Sequence, residues 1–239
     1  MPPGMSDSTP LCHECWKRAI RIIPGCYPPI GLFEEVTDPD DLEAVFAVES
    51  LTNPRIRTEV GNLSLVPKAD RINGPGTSPI MAAFTHPNTA GSRFSPGTYG
   101  VYYAADDEQT AVAETRYHRE RFYHFQDAGP QRVQMRAYIG EIEAEWVDLR
   151  GLRESRADLY DSESYAASQP FGQARRASNA WGIAYHSVRR PEGQCLAVFR
   201  PPACCPVDQG PHYEYFYDGQ QITHAVRLTE IDSWLESGK

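Results

Sequence analysis

The sequence predicts an α+β fold built on a twisted, largely antiparallel sheet with flanking helices, and three observations carry that prediction. Strand-like segments crowd the C-terminal part of the chain, at residues 182–186, 195–199, 213–217 and 222–228. Helical patterns are few and irregularly spaced, so no regular alternation of strand and helix runs through the 239 residues. No GxGxxG turn follows any strand-like run, which removes the usual doubly wound dinucleotide site.

Taken in order, residues 1–16 read as a loose tail and residues 17–239 as one domain. Residues 20–23 form a short apolar strand that stops at Pro24. Asp38-Pro39-Asp40-Asp41 caps a helix over 42–48, where the proline fits the first turn and the acids face the positive end of the helix dipole. Asn73-Gly74-Pro75-Gly76 is a loop within the domain, because the informative motifs lie on both sides of it. Asp106-Asp107 caps a helix from Glu108 to about Arg121. Residues 133–149 alternate well enough for one long bent strand or two shorter ones. A helix over 169–179 has a proline at its start and Trp181-Gly182 after it. No internal repeat is present.

Composition bounds the function. With 41% hydrophobic and 23% charged residues, the chain can bury a substantial core without disulfides or metal. A net charge of -9 argues against a broad nucleic-acid surface, which depends on clustered Lys and Arg to release phosphate counterions. Arg175-Arg176 and Arg189-Arg190 suit a confined anionic ligand instead. Neither an apolar run of about 18 residues nor a basic-then-apolar leader pattern is seen, so no membrane contact and a cytoplasmic location are expected. The six cysteines are read as reduced thiols. Cys12-His13-Glu14-Cys15 is half of a tetrahedral zinc site, but the other half is missing and the adjacent Cys204-Cys205 is poor geometry for two ligands of one ion. No metal is expected.

The informative stretch is Gly91-Ser92-Arg93-Phe94-Ser95-Pro96-Gly97, then Gly100-Val101-Tyr102-Tyr103-Ala104-Ala105, then Ala111-Val112-Ala113-Glu114. It reads as an arginine loop, a buried strand and a helix whose first turns carry one carboxylate on a small, apolar face. Such a glutamate, with little polar company, faces a cleft or a buried partner. Downstream, Gly182-Ile183-Ala184-Tyr185-His186-Ser187-Val188-Arg189 ends an apolar run in a serine and then basic residues.

With these segments, and with Ile20-Arg21-Ile22-Ile23-Pro24 as an opening arginine strand, the chain resembles the RES family over roughly residues 18 to 230. The family is named for its arginine, glutamate and serine, and includes toxins of bacterial toxin–antitoxin pairs that destroy NAD. The resemblance implies a split sheet like that of ADP-ribosyltransferases, with NAD as substrate and no further cofactor. Arg21 and Arg93 match the family arginines, whose guanidinium forks suit a diphosphate. Tyr103 matches the strand tyrosine that offers a flat face to nicotinamide or ribose, while Tyr102 points to the other side of the strand. Glu114 would stabilise positive charge developing on the ribose. Ser187 would hydrogen bond a ribose or phosphate oxygen; no GxSxG elbow surrounds it, although a triad through His186 or His118 stays open. His118, one turn after Glu114, reads as a helix-surface residue. The acceptor is inorganic phosphate or water, and an Xre-like antitoxin is the implied partner; a homodimer stays open. Phe94 stands where the family usually has tryptophan, and residues 28–79 exceed a minimal core. Two other readings compete: an ADP-ribosyltransferase acting on a macromolecule, and a non-catalytic module that binds a nucleotide or a partner.

Overall fold

A computed structural model describes residues 9–25 and 61–229. The helix expected over 42–48 and Cys26 lie outside the described residues. Along the chain run strand β1 (Leu11–Pro24), helix α1 (Ser78–Thr85), β2 (Tyr102–Ala105), helix α2 (Glu108–Phe125), β3 (Gln131–Asp148), helix α3 (Ser168–Ala177), and strands β4 (Gly182–His186), β5 (Gln194–Val198), β6 (Asp208–Tyr217) and β7 (Ile222–Leu228). The seven strands pair in the order β1-β2-β5-β4-β3-β6-β7, and β1 pairs with β3 as well. Among the described residues only the β3–β4 contact is parallel. The fold is therefore α+β on a mostly antiparallel sheet.

The split in the sheet follows from the length of β3. One of its edges carries β1 from Met135 to Val147. The opposite edge is shared, with β6 on residues 131–139 and β4 at Val147 and Asp148. A single strand thus serves two sub-sheets, and its alternation places Val133, Met135, Ala137 and Val147 in one apolar cluster and Tyr138, Ile142, Ala144 and Trp146 in the other. Helices α2 and α3 cover the first cluster through Ala111, Tyr123 and Phe171. Helix α1 covers the second through Ile80, Met81 and Phe84.

The loose tail expected over residues 1–16 is corrected at Leu11, where β1 begins and pairs with Val147. Residues 11–16 are only half covered and mix charge with apolarity, so the ladder to β3, rather than an apolar alternation, holds them extended. A register shift between Trp16 and Ala19 then reverses which side chains face which side. The two CxxC thiols diverge for the same strand reason. Cys12 Sγ accepts from Arg150 Nη2 at 3.3 Å, whereas Cys15 lies with Glu141 and Glu143. In that second group Glu141 is already paired, with Lys17 Nζ 2.9 Å from its Oε2.

Candidate active site

The site is assembled on the face covered by α2 and α3. Asp107 opens α2 by accepting from Thr110 N at 2.8 Å, and Arg190 Nη1 holds its other oxygen at 2.6 Å. Two turns into the helix, Glu114 meets the turn that follows β4. Its Oε1 accepts from Ser187 Oγ at 2.6 Å and from Val188 N at 3.2 Å. These two donors fix the carboxylate and leave Oε2 without a hydrogen-bond partner among the described residues.

Ser187 has no solvent exposure. Its oxygen accepts from Arg189 N at 3.1 Å and Arg190 N at 2.9 Å while its proton goes to Glu114. The hydroxyl is therefore saturated and has nothing left for a ribose or phosphate oxygen. In the structure Ser187 Oγ holds the Glu114 carboxylate, where the sequence reading expected it to meet a ribose or phosphate oxygen. The geometry does not favour a triad: His186 Nδ1 is buried with no hydrogen-bond partner among the described residues, and the serine proton points to a carboxylate.

Arg93 lies in the loop bounded by Gly91 and Gly97, both in the left-handed region at φ 81° and 99°. A Cβ at Gly172 of α3 would come 2.3 Å from Phe94 O, so the helix closes against the loop only because that position is glycine. Tyr103 anchors the loop from below, with its hydroxyl 2.9 Å from Ser92 Oγ and accepting from Phe94 N at 3.0 Å. Burial pushes the Tyr103 phenol well above its usual range, so it stays a neutral donor and acceptor. Phe94 packs edge-on against Tyr185, with centroids 5.1 Å apart.

Arg93 is 6% exposed. Its Nη1 donates to Leu159 O at 2.9 Å and Asp161 O at 3.0 Å, and the ring of Tyr165 lies 4.9 Å away. Arg93, Arg189 and Glu114 all act electrostatically on His118, which places the four in one neighbourhood. The His118 side chain is exposed, but crowding by its neighbours lowers its pKa below the ordinary histidine value through desolvation; Glu114 opposes that shift, while Arg189, Arg93 and Arg119 add to it. It is exposed on α2, as the sequence reading has it, on the side of the helix that also carries Glu114.

Arg21 does not join this group. It stands across β1 from Ile20 and Ile22, registers with Tyr138, stacks 4.7 Å from the Tyr102 ring and donates to Tyr103 O at 3.1 Å. Its side chain therefore occupies the sheet face opposite Glu114. Burial lowers its pKa. Residues that the sequence reading left unassigned are Tyr165, which roofs Arg93, and Tyr117, whose ring lies 3.1 Å under the guanidinium of Arg189, one of the basic residues expected to suit an anionic ligand. The tyrosine spacing on α2, one position before His118, was the available signal.

Chemically, the arrangement presents a fixed carboxylate with one available oxygen, beside cations suited to an anionic ligand. The RES domain model matches residues 68–218, which contain Arg93, Glu114 and Ser187. An uncharacterized protein, y4oC, of Sinorhizobium fredii is 30% identical over 207 residues, covering 85% of this chain and 84% of its own length. Among solved structures, the M. tuberculosis MbcT–MbcA toxin–antitoxin complex is similar at 16% identity and a TM-score of 0.35, over 67% of this chain and 80% of that one.

Proposed function

The chain belongs to the RES domain family, and from that membership we propose that it consumes NAD by cleaving the bond between nicotinamide and ribose, passing the ADP-ribosyl group to inorganic phosphate or water. The observation that carries this reading is the clamped Glu114. Bond cleavage builds positive charge on the ribose and leaves nicotinamide as the departing group. A carboxylate held by Ser187 Oγ and Val188 N needs no reorganisation to stabilise that charge, and its second oxygen can accept from a ribose hydroxyl. NAD is the substrate here, with no resident cofactor or metal required. The family resemblance further suggests a toxin that an Xre-like antitoxin holds inactive.

The test is nicotinamide release from NAD by purified, partner-free protein, with and without phosphate. Release in the wild type alone, and not in Glu114→Gln, supports glycosidic cleavage; a phosphorylated ADP-ribose would identify phosphate as the acceptor. A labelled macromolecule would favour ADP-ribosyl transfer, and binding without turnover would leave only a nucleotide-binding module.

A further inference from the structure

Arg93 is an arginine a diphosphate would be expected to reach, yet it is 6% exposed and its roof is a short segment, residues 161–165. Asp161 Oδ1 shapes that segment by accepting from Glu163 N at 2.8 Å and Ser164 N at 2.9 Å. The segment then spans the gap between α2 and the turn after β4, the two elements that carry Glu114 and Ser187. On the α2 side, the single Tyr117 Oη proton is shared between Ser162 O at 3.0 Å and Glu163 Oε2 at 3.4 Å. On the other side, Arg189 Nη2 donates to Ser162 O, and Arg189 Nη1 lies 3.9 Å from Glu163 Oε1.

The two partners in that last pair are unequal. The Arg189 side chain is 14% exposed, flattened on the Tyr117 ring and fixed through its own backbone N–H to Ser187 Oγ. The Glu163 side chain is 75% exposed and held by one long ion pair and one long hydrogen bond. A preorganised cation thus faces a loosely held internal anion that a stronger oxyanion can replace. Arg121 Nη1, 3.3 Å from Tyr117 Oη, adds positive charge at the same place.

We propose that Arg189 binds the diphosphate of the substrate and that Glu163 occupies this position in the free protein as an internal competitor. The inference rests on the NAD reading for its ligand, but the anion site can be tested apart from it. The experiment measures KM for NAD turnover and, separately, the Kd for inorganic pyrophosphate by calorimetry, in wild type, Glu163→Gln and Arg189→Gln. Glu163→Gln is expected to lower both constants about two- to five-fold, the range set by one exposed ion pair. Arg189→Gln is expected to raise both about ten-fold or more, as for a lost hydrogen bond to a charged group. Rising ionic strength should shrink the Glu163→Gln effect. Pyrophosphate binding indifferent to both substitutions overturns the proposal even if NAD is consumed. Pyrophosphate binding that follows both charges, with NAD left intact, sustains the anion site and overturns the NAD reading. Because Glu163 is a surface side chain, its variant keeps the test decisive if Arg189→Gln folds poorly.

Discussion

Replacing Ser187 with alanine removes one fully buried hydroxyl that makes three hydrogen bonds. The bond to Glu114 is charge-assisted, and such bonds contribute about 1.5–3 kcal/mol. The amides of Arg189 and Arg190 lose their acceptor too, although both residues retain partial solvent access that softens the loss. The sum points to a destabilisation of roughly 2–4 kcal/mol. Catalysis should suffer separately, because Glu114 would keep only Val188 N and could rotate away from its working position. Losing about 1.4–2.7 kcal/mol of transition-state stabilisation corresponds to a kcat drop of roughly 10- to 100-fold. Urea unfolding measures the first effect and steady-state NAD turnover the second. A positioning role makes a further demand: in a Glu114→Gln background, Ser187→Ala should lower residual turnover little further. A full additional loss there, or a Ser187→Ala variant with kcat within about two-fold of wild type, would refute the reasoning.

Other substitutions separate the parts of the site. Tyr103→Phe keeps the ring but removes the hydroxyl shared by Ser92 Oγ and Phe94 N, so about 1–2 kcal/mol should be lost in chemical unfolding, with a rise in KM as the arginine loop loosens. Arg21→Met should shift the unfolding midpoint while leaving the KM for NAD unchanged, because Arg21 packs on Tyr102 across the sheet from Glu114; a large KM change would contradict that placement. His118 gives a pH signature. Its folded pKa is depressed, so the stability it contributes is intact above the ordinary histidine value near 6.5 and is lost as pH falls toward the lowered folded value. His118→Gln should flatten the stability profile across that acid window, and an unchanged slope would remove His118 as its source.

The legible parts of the chain were those in which local chemistry and tertiary placement agree. Glu114 stood out because Ala111, Val112 and Ala113 gave it no polar company, and the structure provides the polar partner from 73 residues away, at Ser187. The parity of Tyr102 and Tyr103 was also readable, since a strand sends neighbours to opposite faces. Parity alone could not say which face holds the site, and for Arg21 that was decisive. The N-terminal half of β1 was hidden because a half-exposed strand beside a long partner needs no apolar alternation. The segment over Arg93 was hidden for a different reason: its contacts are made by backbone carbonyls and by a tyrosine whose role depends on where α2 and the β4 turn lie. Gly172 carried a faint signal, a glycine inside a helix, which becomes informative only when Phe94 is seen against it.

The most direct test of the central claim is phosphorus NMR of NAD incubated with wild-type protein and with Glu114→Gln, alongside calorimetric NAD binding to both. Glu114→Gln still offers an oxygen to Ser187 and should fold and bind NAD, so the account predicts that the wild type consumes NAD while the variant binds it and leaves it intact. Equal consumption by both proteins, or intact NAD with the wild type in the presence and absence of phosphate, would contradict it.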